Sequence, residues 1–193
     1  MRVDGPSQPA RLLLDVIDVL NESQIPYAVI GAFAVACYGV PRYTGDADGV
    51  AWLKEPGISA EQLKDRLAAA GYDAAIRRGD IEDPILLTIR VDDEFKNRFD
   101  LLLSVRGMDP DAVHRCFTTQ LLDSAVRVIG AEDLVGMKLF AGGPQDVMDV
   151  RGILQVWRER LDADLLRKVA HRYGTNVLEK LNSLLEELPL DEG

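Results

Sequence analysis

Tyr27-Ala28-Val29-Ile30-Gly31-Ala32-Phe33-Ala34-Val35-Ala36-Cys37-Tyr38-Gly39-Val40-Pro41-Arg42-Tyr43-Thr44-Gly45-Asp46-Ala47-Asp48-Gly49-Val50-Ala51-Trp52-Leu53 is the stretch on which the reading of this chain turns. The apolar run Tyr27–Ile30 predicts a short strand entering Gly31. A helix of small residues follows, from Ala32 to about Tyr38, and in it Cys37 reads as a small core residue. Pro41–Gly45 makes a loop, after which Val50 and Trp52 favour a second strand. Side chains two apart on a strand share a face, so Asp46 and Asp48 project side by side. Adjacent carboxylates repel unless a cation lies between them or a proton is taken up. Hard oxygen ligands of this kind suit Mg²⁺. Asp beside Gly equally suits a solvated loop end, and on these two residues alone that plainer reading is the stronger.

Two further features shift the balance. Gly31 stands where strand turns to helix, and a helix N-terminus offers free N–H groups to a phosphate. Gly31 and the small Ala32 allow a close backbone approach, although they equally allow only a tight turn. The second feature is Asn97-Arg98-Phe99-Asp100-Leu101-Leu102-Leu103, a strand-like run with one acid inside it. An Asp in an apolar strand is costly without a partner. A strand pairing that brought Asp100 to Asp46 and Asp48 would supply one through a shared cation.

A Gly-plus-small turn, a short helix, Asp-x-Asp and a third Asp on a later strand resemble the nucleotidyltransferase superfamily of the DNA polymerase beta type. The closer similarity is to small bacterial members, the AbiEii-like toxins and minimal nucleotidyltransferases. Arg42-Tyr43-Thr44 matches their Arg-x-Thr before Asp46. Asp133-Leu134-Val135-Gly136-Met137-Lys138-Leu139 and Gln145-Asp146-Val147-Met148-Asp149-Val150 match their later Lys and Asp helices in order and spacing. The resemblance covers roughly residues 25–155. Three positions depart from it: Ala32 replaces a second Gly or Ser, Gly49 replaces a bulky aliphatic residue, and Gly143 stands where relatives often carry Arg.

The resemblance implies transfer of a nucleoside monophosphate from an NTP to a hydroxyl or phosphate acceptor on RNA, protein or a small molecule. Asp46, Asp48 and Asp100 become the catalytic and metal-binding residues of a two-Mg²⁺ site. Asp100 takes the second metal and assists deprotonation of the acceptor. Gly31, Ala32 and Lys138 become the nucleotide-binding residues; on position alone, Lys138 would equally snorkel outward. A toxin–antitoxin role, with a cognate antitoxin as partner, belongs to the same resemblance. A non-catalytic binding protein on the same scaffold is the alternative, favoured by Ala32 and by the missing Arg.

Composition bounds these readings. The chain has 193 residues, 47% of them apolar, ample for a core. With 32 acidic and 22 basic residues the net charge is −10. That excludes strong non-specific nucleic-acid binding, which rests on cationic neutralisation of phosphates. Cys37 and Cys116 show no metal spacing and suit a reducing compartment. No run approaches a membrane span, and the N-terminus lacks an apolar signal core, so a cytoplasmic location is expected.

The remaining elements follow in order. Residues 1–8 read as a loose tail. Pro9 opens a helix whose buried face is Leu13, Val16, Ile17 and Leu20. Pro56 and Gly57 break the chain. Ser59 and Gln62 form a capping box for a helix buried through Leu63 and Leu67 and closed by Gly71. Tyr72–Ile76 reads as an edge strand. Ile85–Val91 and Phe99–Val105 read as paired strands around a solvated acidic turn. Met108–Asp123 reads as a short helix and loop, and Val126–Ile129 as a last strand. Helices follow over Glu132–Ala141 and from Pro144, then one capped by Asp162 and one capped by Thr175. On the last, Leu178, Leu181, Leu185 and Leu188 form a face for internal packing or a homodimer. The expected architecture is α/β (α+β): a nucleotidyltransferase-type mixed sheet flanked by helices over 1–129, and a C-terminal helical bundle over 130–193.

Overall fold

A computed structural model describes residues 1–54, 57–80 and 82–188. Seven strands form one mixed sheet: β1 (Tyr27–Ile30), β2 (Asp46–Ala51), β3 (Asp73–Arg78), β4 (Ile85–Asp92), β5 (Arg98–Val105), β6 (Phe117–Leu121) and β7 (Ser124–Val128). Their spatial order is β3-β4-β5-β2-β1-β7-β6. β2 pairs parallel with β5, and β1 parallel with β7; the other neighbours are antiparallel. The acidic strand β2 is therefore central, which explains why Ala47, Val50 and Ala51 are buried.

Among the described residues, seven helices flank the sheet: α1 (Pro9–Glu22), α2 (Gly31–Cys37), α3 (Ala60–Ala69), α4 (Ala131–Ala141), α5 (Pro144–Trp157), α6 (Ala163–Tyr173) and α7 (Thr175–Glu187). α1 packs on β2 and β5, while α4 packs against α5, α6 and α7. The capping box at α3 forms as the sequence predicts, with Ser59 Oγ accepting from Gln62 N and Gln62 Oε1 accepting from Ser59 N. Such a cap contributes about 1 kcal/mol. Asp162 caps α6 through the N–H groups of Asp164 and Leu165.

Several local expectations are corrected. Residues 1–8 carry no helix or strand, yet they are held to the core. The Arg2 N–H donates to both Asp15 carboxylate oxygens at 2.8 and 2.7 Å, Val3 is buried, and Asn97 bonds Gly5 and Gln8. The acidic turn between β4 and β5 is not all solvated, because Asp93 is buried and accepts from the Phe95 and Asn97 N–H groups. Those bonds replace water for a turn that Gln8 and Gly5 cover. Met108–Asp123 contains the strand β6 beside a 3₁₀ turn at Pro110–His114. Strand pairing with β7 overrides the weak local pattern of Phe117–Leu121. Cys37 is exposed because it ends α2 on its outer side. The N-cap of α7 is Gly174 rather than Thr175. Its buried stripe is Val177, Leu181 and Leu184, with Leu178 and Leu185 half-buried against the same core. Pro56, expected to break the chain with Gly57, lies outside the described residues.

Candidate active site

The three aspartates come from two adjacent strands. Asp48 is the lateral partner of Asp100 in the parallel β2–β5 pairing, and Asp46 that of Arg98. Residues paired in this way present their side chains to one face, so Asp46, Asp48 and Asp100 stand together at one end of the sheet. Asp46 is exposed, and the Thr44 hydroxyl lies 2.9 Å from its Oδ1. Asp48 is the most enclosed of the three. Burial first, then the negative charges of Asp46 and Asp100, push its carboxyl up to about 6, while Lys138 and Arg42 pull the other way. Asp100 has a cation of its own: Arg90, opposite it on β4, donates from Nε at 3.3 Å.

On its other side Asp48 pairs with Ile30, the last residue of β1. The chain turns there through Gly31, with φ +62°. A Cβ on residue 31 would lie 2.0 Å from Asp48 Oδ2, so only glycine allows this approach. Ala32 is buried.

Lys138 is buried on α4, and its ammonium reaches two acids of α5, Asp149 Oδ2 at 2.7 Å and Asp146 Oδ1 at 3.0 Å. Asp149 is 1% exposed and also accepts from Gln145 Nε2 at 2.9 Å and Arg42 Nε at 3.2 Å. Burial raises the Asp149 carboxyl, but hydrogen bonds from Lys138 and Gln145 with the charges of Lys138 and Arg42 outweigh it and hold it below the usual range. Gly143, where the resemblance predicts Arg, donates its N–H to Asp146 Oδ2 at 3.2 Å. Arg42 and Thr44 thus act from one loop, one tying it to α5 and the other steadying Asp46.

A cavity of about 230 Å³ opens between this end of the sheet and α4. Gly31, Arg42, Asp48, Lys138 and Asp146 line one end, and apolar side chains line the other. Ala32 and Asp100 are not among its walls. Among the described residues, no group of three or more His, Cys, Asp or Glu side chains forms a ready-made metal cage. Lys138 and Arg42 offset only part of what burial and the charges of Asp46 and Asp100 do to Asp48.

Sequence reasoning missed Arg90. The signal was present: a hairpin turning over Asp93–Asn97 sets position 90 opposite position 100, as the β4–β5 register shows. It also left Arg42 without a partner, because Asp149 lies 107 residues away.

No family model and no curated protein matches the chain. Solved structures do. An antibiotic nucleotidyltransferase, ANT(2")-Ia in complex with adenylyl-2"-tobramycin, superposes with TM-score 0.58 at 12% identity, over 85% of this chain and 95% of that one. An antigenic nucleotidyltransferase-like protein from Paracoccidioides brasiliensis gives 0.57 at 16% identity, over 98% and 96%. The lincosamide antibiotic adenylyltransferase LnuA, lincomycin-bound, gives 0.50 at 14% identity, over 79% and 99%. The mixed sheet and its helices therefore have the nucleotidyltransferase fold.

Proposed function

We propose that the chain is a Mg²⁺-dependent nucleotidyltransferase that moves an NMP from an NTP to a hydroxyl or phosphate acceptor. The observation that carries this is the side-by-side placement of Asp48 and Asp100 on adjacent parallel strands, with Asp48 pressed against the Gly31 turn. Asp46, Asp48 and Asp100 are the carboxylates that would hold Mg²⁺. They fit a hard cation: all three offer oxygen donors, and Asp48 and Asp100 stand side by side on paired strands. Substrate phosphate oxygens would complete the shell of a cation held by these carboxylates. Bound Mg²⁺ supplies charge neutralisation at the attacking and leaving oxygens.

The acceptor oxygen forms a bond to the α-phosphorus, the bond from that phosphorus to the bridging oxygen breaks, and pyrophosphate leaves. Asp100, oriented by Arg90, takes the acceptor proton. Gly31 and Ala32 offer backbone N–H groups to the β- and γ-phosphates, and Lys138 with Arg42 places positive charge beside them. The resemblance to AbiEii-like toxins supports a toxin–antitoxin setting, and the free thiols of Cys37 and Cys116 support a cytoplasmic one.

The test is release of pyrophosphate and label transfer from α-labelled NTPs with Mg²⁺, using cell RNA and protein extracts as acceptors. Asp46→Asn and Asp48→Asn should each abolish both signals while the circular dichroism spectrum is kept. Full turnover in both variants refutes the assignment of roles.

A second reading, a non-catalytic binding protein on the same scaffold, is favoured by Lys138, whose ammonium is already engaged by Asp146 and Asp149. It is told apart by Mg²⁺-NTP raising the melting temperature with no pyrophosphate released under any acceptor.

A further inference from the structure

The cavity beside Asp48 has two unlike ends. Its charged end is the site already described. Its other end is walled by Ile85, Leu102 and Val105 from the sheet and by Leu134, Met137 and Phe140 from α4. Among the described residues, the charged side chains lining the cavity are Arg42, Asp48, Lys138 and Asp146, and Lys138 is turned to Asp146 and Asp149. About 230 Å³ is room for a ring-sized group and not for a macromolecule.

We infer that this apolar end is the acceptor pocket, and that the acceptor is an uncharged, largely apolar small molecule presenting a hydroxyl past Asp48 to its strand neighbour Asp100. This rests on the nucleotidyltransferase reading and names its acceptor class. Three arguments carry it. A cation or phosphate buried against these six side chains would lose its hydration without gaining a partner. A nucleobase fits poorly there too, since its polar edges would meet no side-chain donor or acceptor, and unpaired buried polar groups are strongly rejected. An apolar ring gains from the same walls, because its own apolar surface leaves water. Ile85, on β4 at the far side of β5 from Asp48, is 37% exposed, so this wall reaches solvent.

The chain offers its own reporter. It has four methionines, of which Met137 lines the pocket, while Met1 and Met148 are exposed. With ¹³C-methyl methionine, 2-naphthylmethanol should shift the Met137 signal saturably and leave Met1 and Met148 in place. Spermine and an oligoadenylate RNA should leave Met137 unmoved. Ile85→Glu, at an exposed position, should weaken the 2-naphthylmethanol response roughly tenfold and leave the Mg²⁺-NTP melting shift intact. A silent Met137 beside a normal Mg²⁺-NTP shift overturns the acceptor pocket alone, as does a Met137 response to spermine or RNA. A normal Met137 response without any Mg²⁺-NTP shift overturns the nucleotide reading, and the acceptor role with it.

Discussion

The carboxylate of Asp48 occupies the space that a side chain at Gly31 would need. Asp48 on β2 pairs with Ile30, the last residue of its antiparallel neighbour β1, and the chain passes Gly31 just beyond at a positive φ. Backbone conformation and close approach are thus demanded at the same position, and each alone selects glycine.

Gly31→Ala should therefore destabilise the fold by about 2 kcal/mol or more, from the left-handed backbone and the overlap with Asp48 Oδ2. Urea unfolding measures this. Asp48→Ala in the same chain should recover part of the loss, because it removes the overlap and leaves the backbone strain. A strictly additive pair would show that the two positions are not coupled.

Stability should depend on pH through Asp48. Its carboxyl titrates near 6 in the folded chain and near 3.8 in the unfolded one. Ionisation therefore favours the unfolded state. Below about pH 4 there is no effect; from 4 to 6 the folded state loses stability, reaching about 3 kcal/mol above pH 6. Asp48→Asn should equal the parent chain at pH 4 and exceed its unfolding free energy at pH 8, in metal-free buffer. Added Mg²⁺ should narrow that gap by stabilising the parent only. A gap that is constant with pH would mean that Asp48 carries no such charge penalty.

Asp149 holds Lys138 and Arg42 at once while almost fully buried. Removing one partner of a buried pair leaves an uncompensated charge and costs about 3–5 kcal/mol. Asp149→Leu should approach that loss by thermal unfolding. Lys138→Met added to Asp149→Leu should return most of it, since the pair is then replaced by apolar groups of similar size. If Asp149→Leu alone leaves the melting temperature unchanged, the ion pairs do not hold α4 to α5.

Much of this architecture is written in local pattern. The capping box at Ser59 and Gln62, the small-residue helix after Gly31, the break at Gly142–Pro144 and the cap at Asp162 each depend on residues three or four apart, and each forms where its spacing predicts. The common face of Asp46 and Asp48 is of the same kind, since a strand alternates with period 2. Strand β6 and the tethering of residues 1–8 were not legible. Their stabilising partners, β7 and the Asp15 and Asn97 side chains, come from elsewhere in the chain.

The sequence by itself determined the order of elements apart from β6, the acidic strand and a strand–helix corner at Gly31, because backbone stereochemistry and side-chain periodicity act over a few residues. Only the tertiary structure decided that Asp48 lies beside Asp100, that Arg90 faces Asp100, and that Lys138 is shared by Asp146 and Asp149. Sheet register and helix packing set those distances between residues far apart in the chain. Charges act through space rather than along sequence, so their balance exists only once the layers have closed.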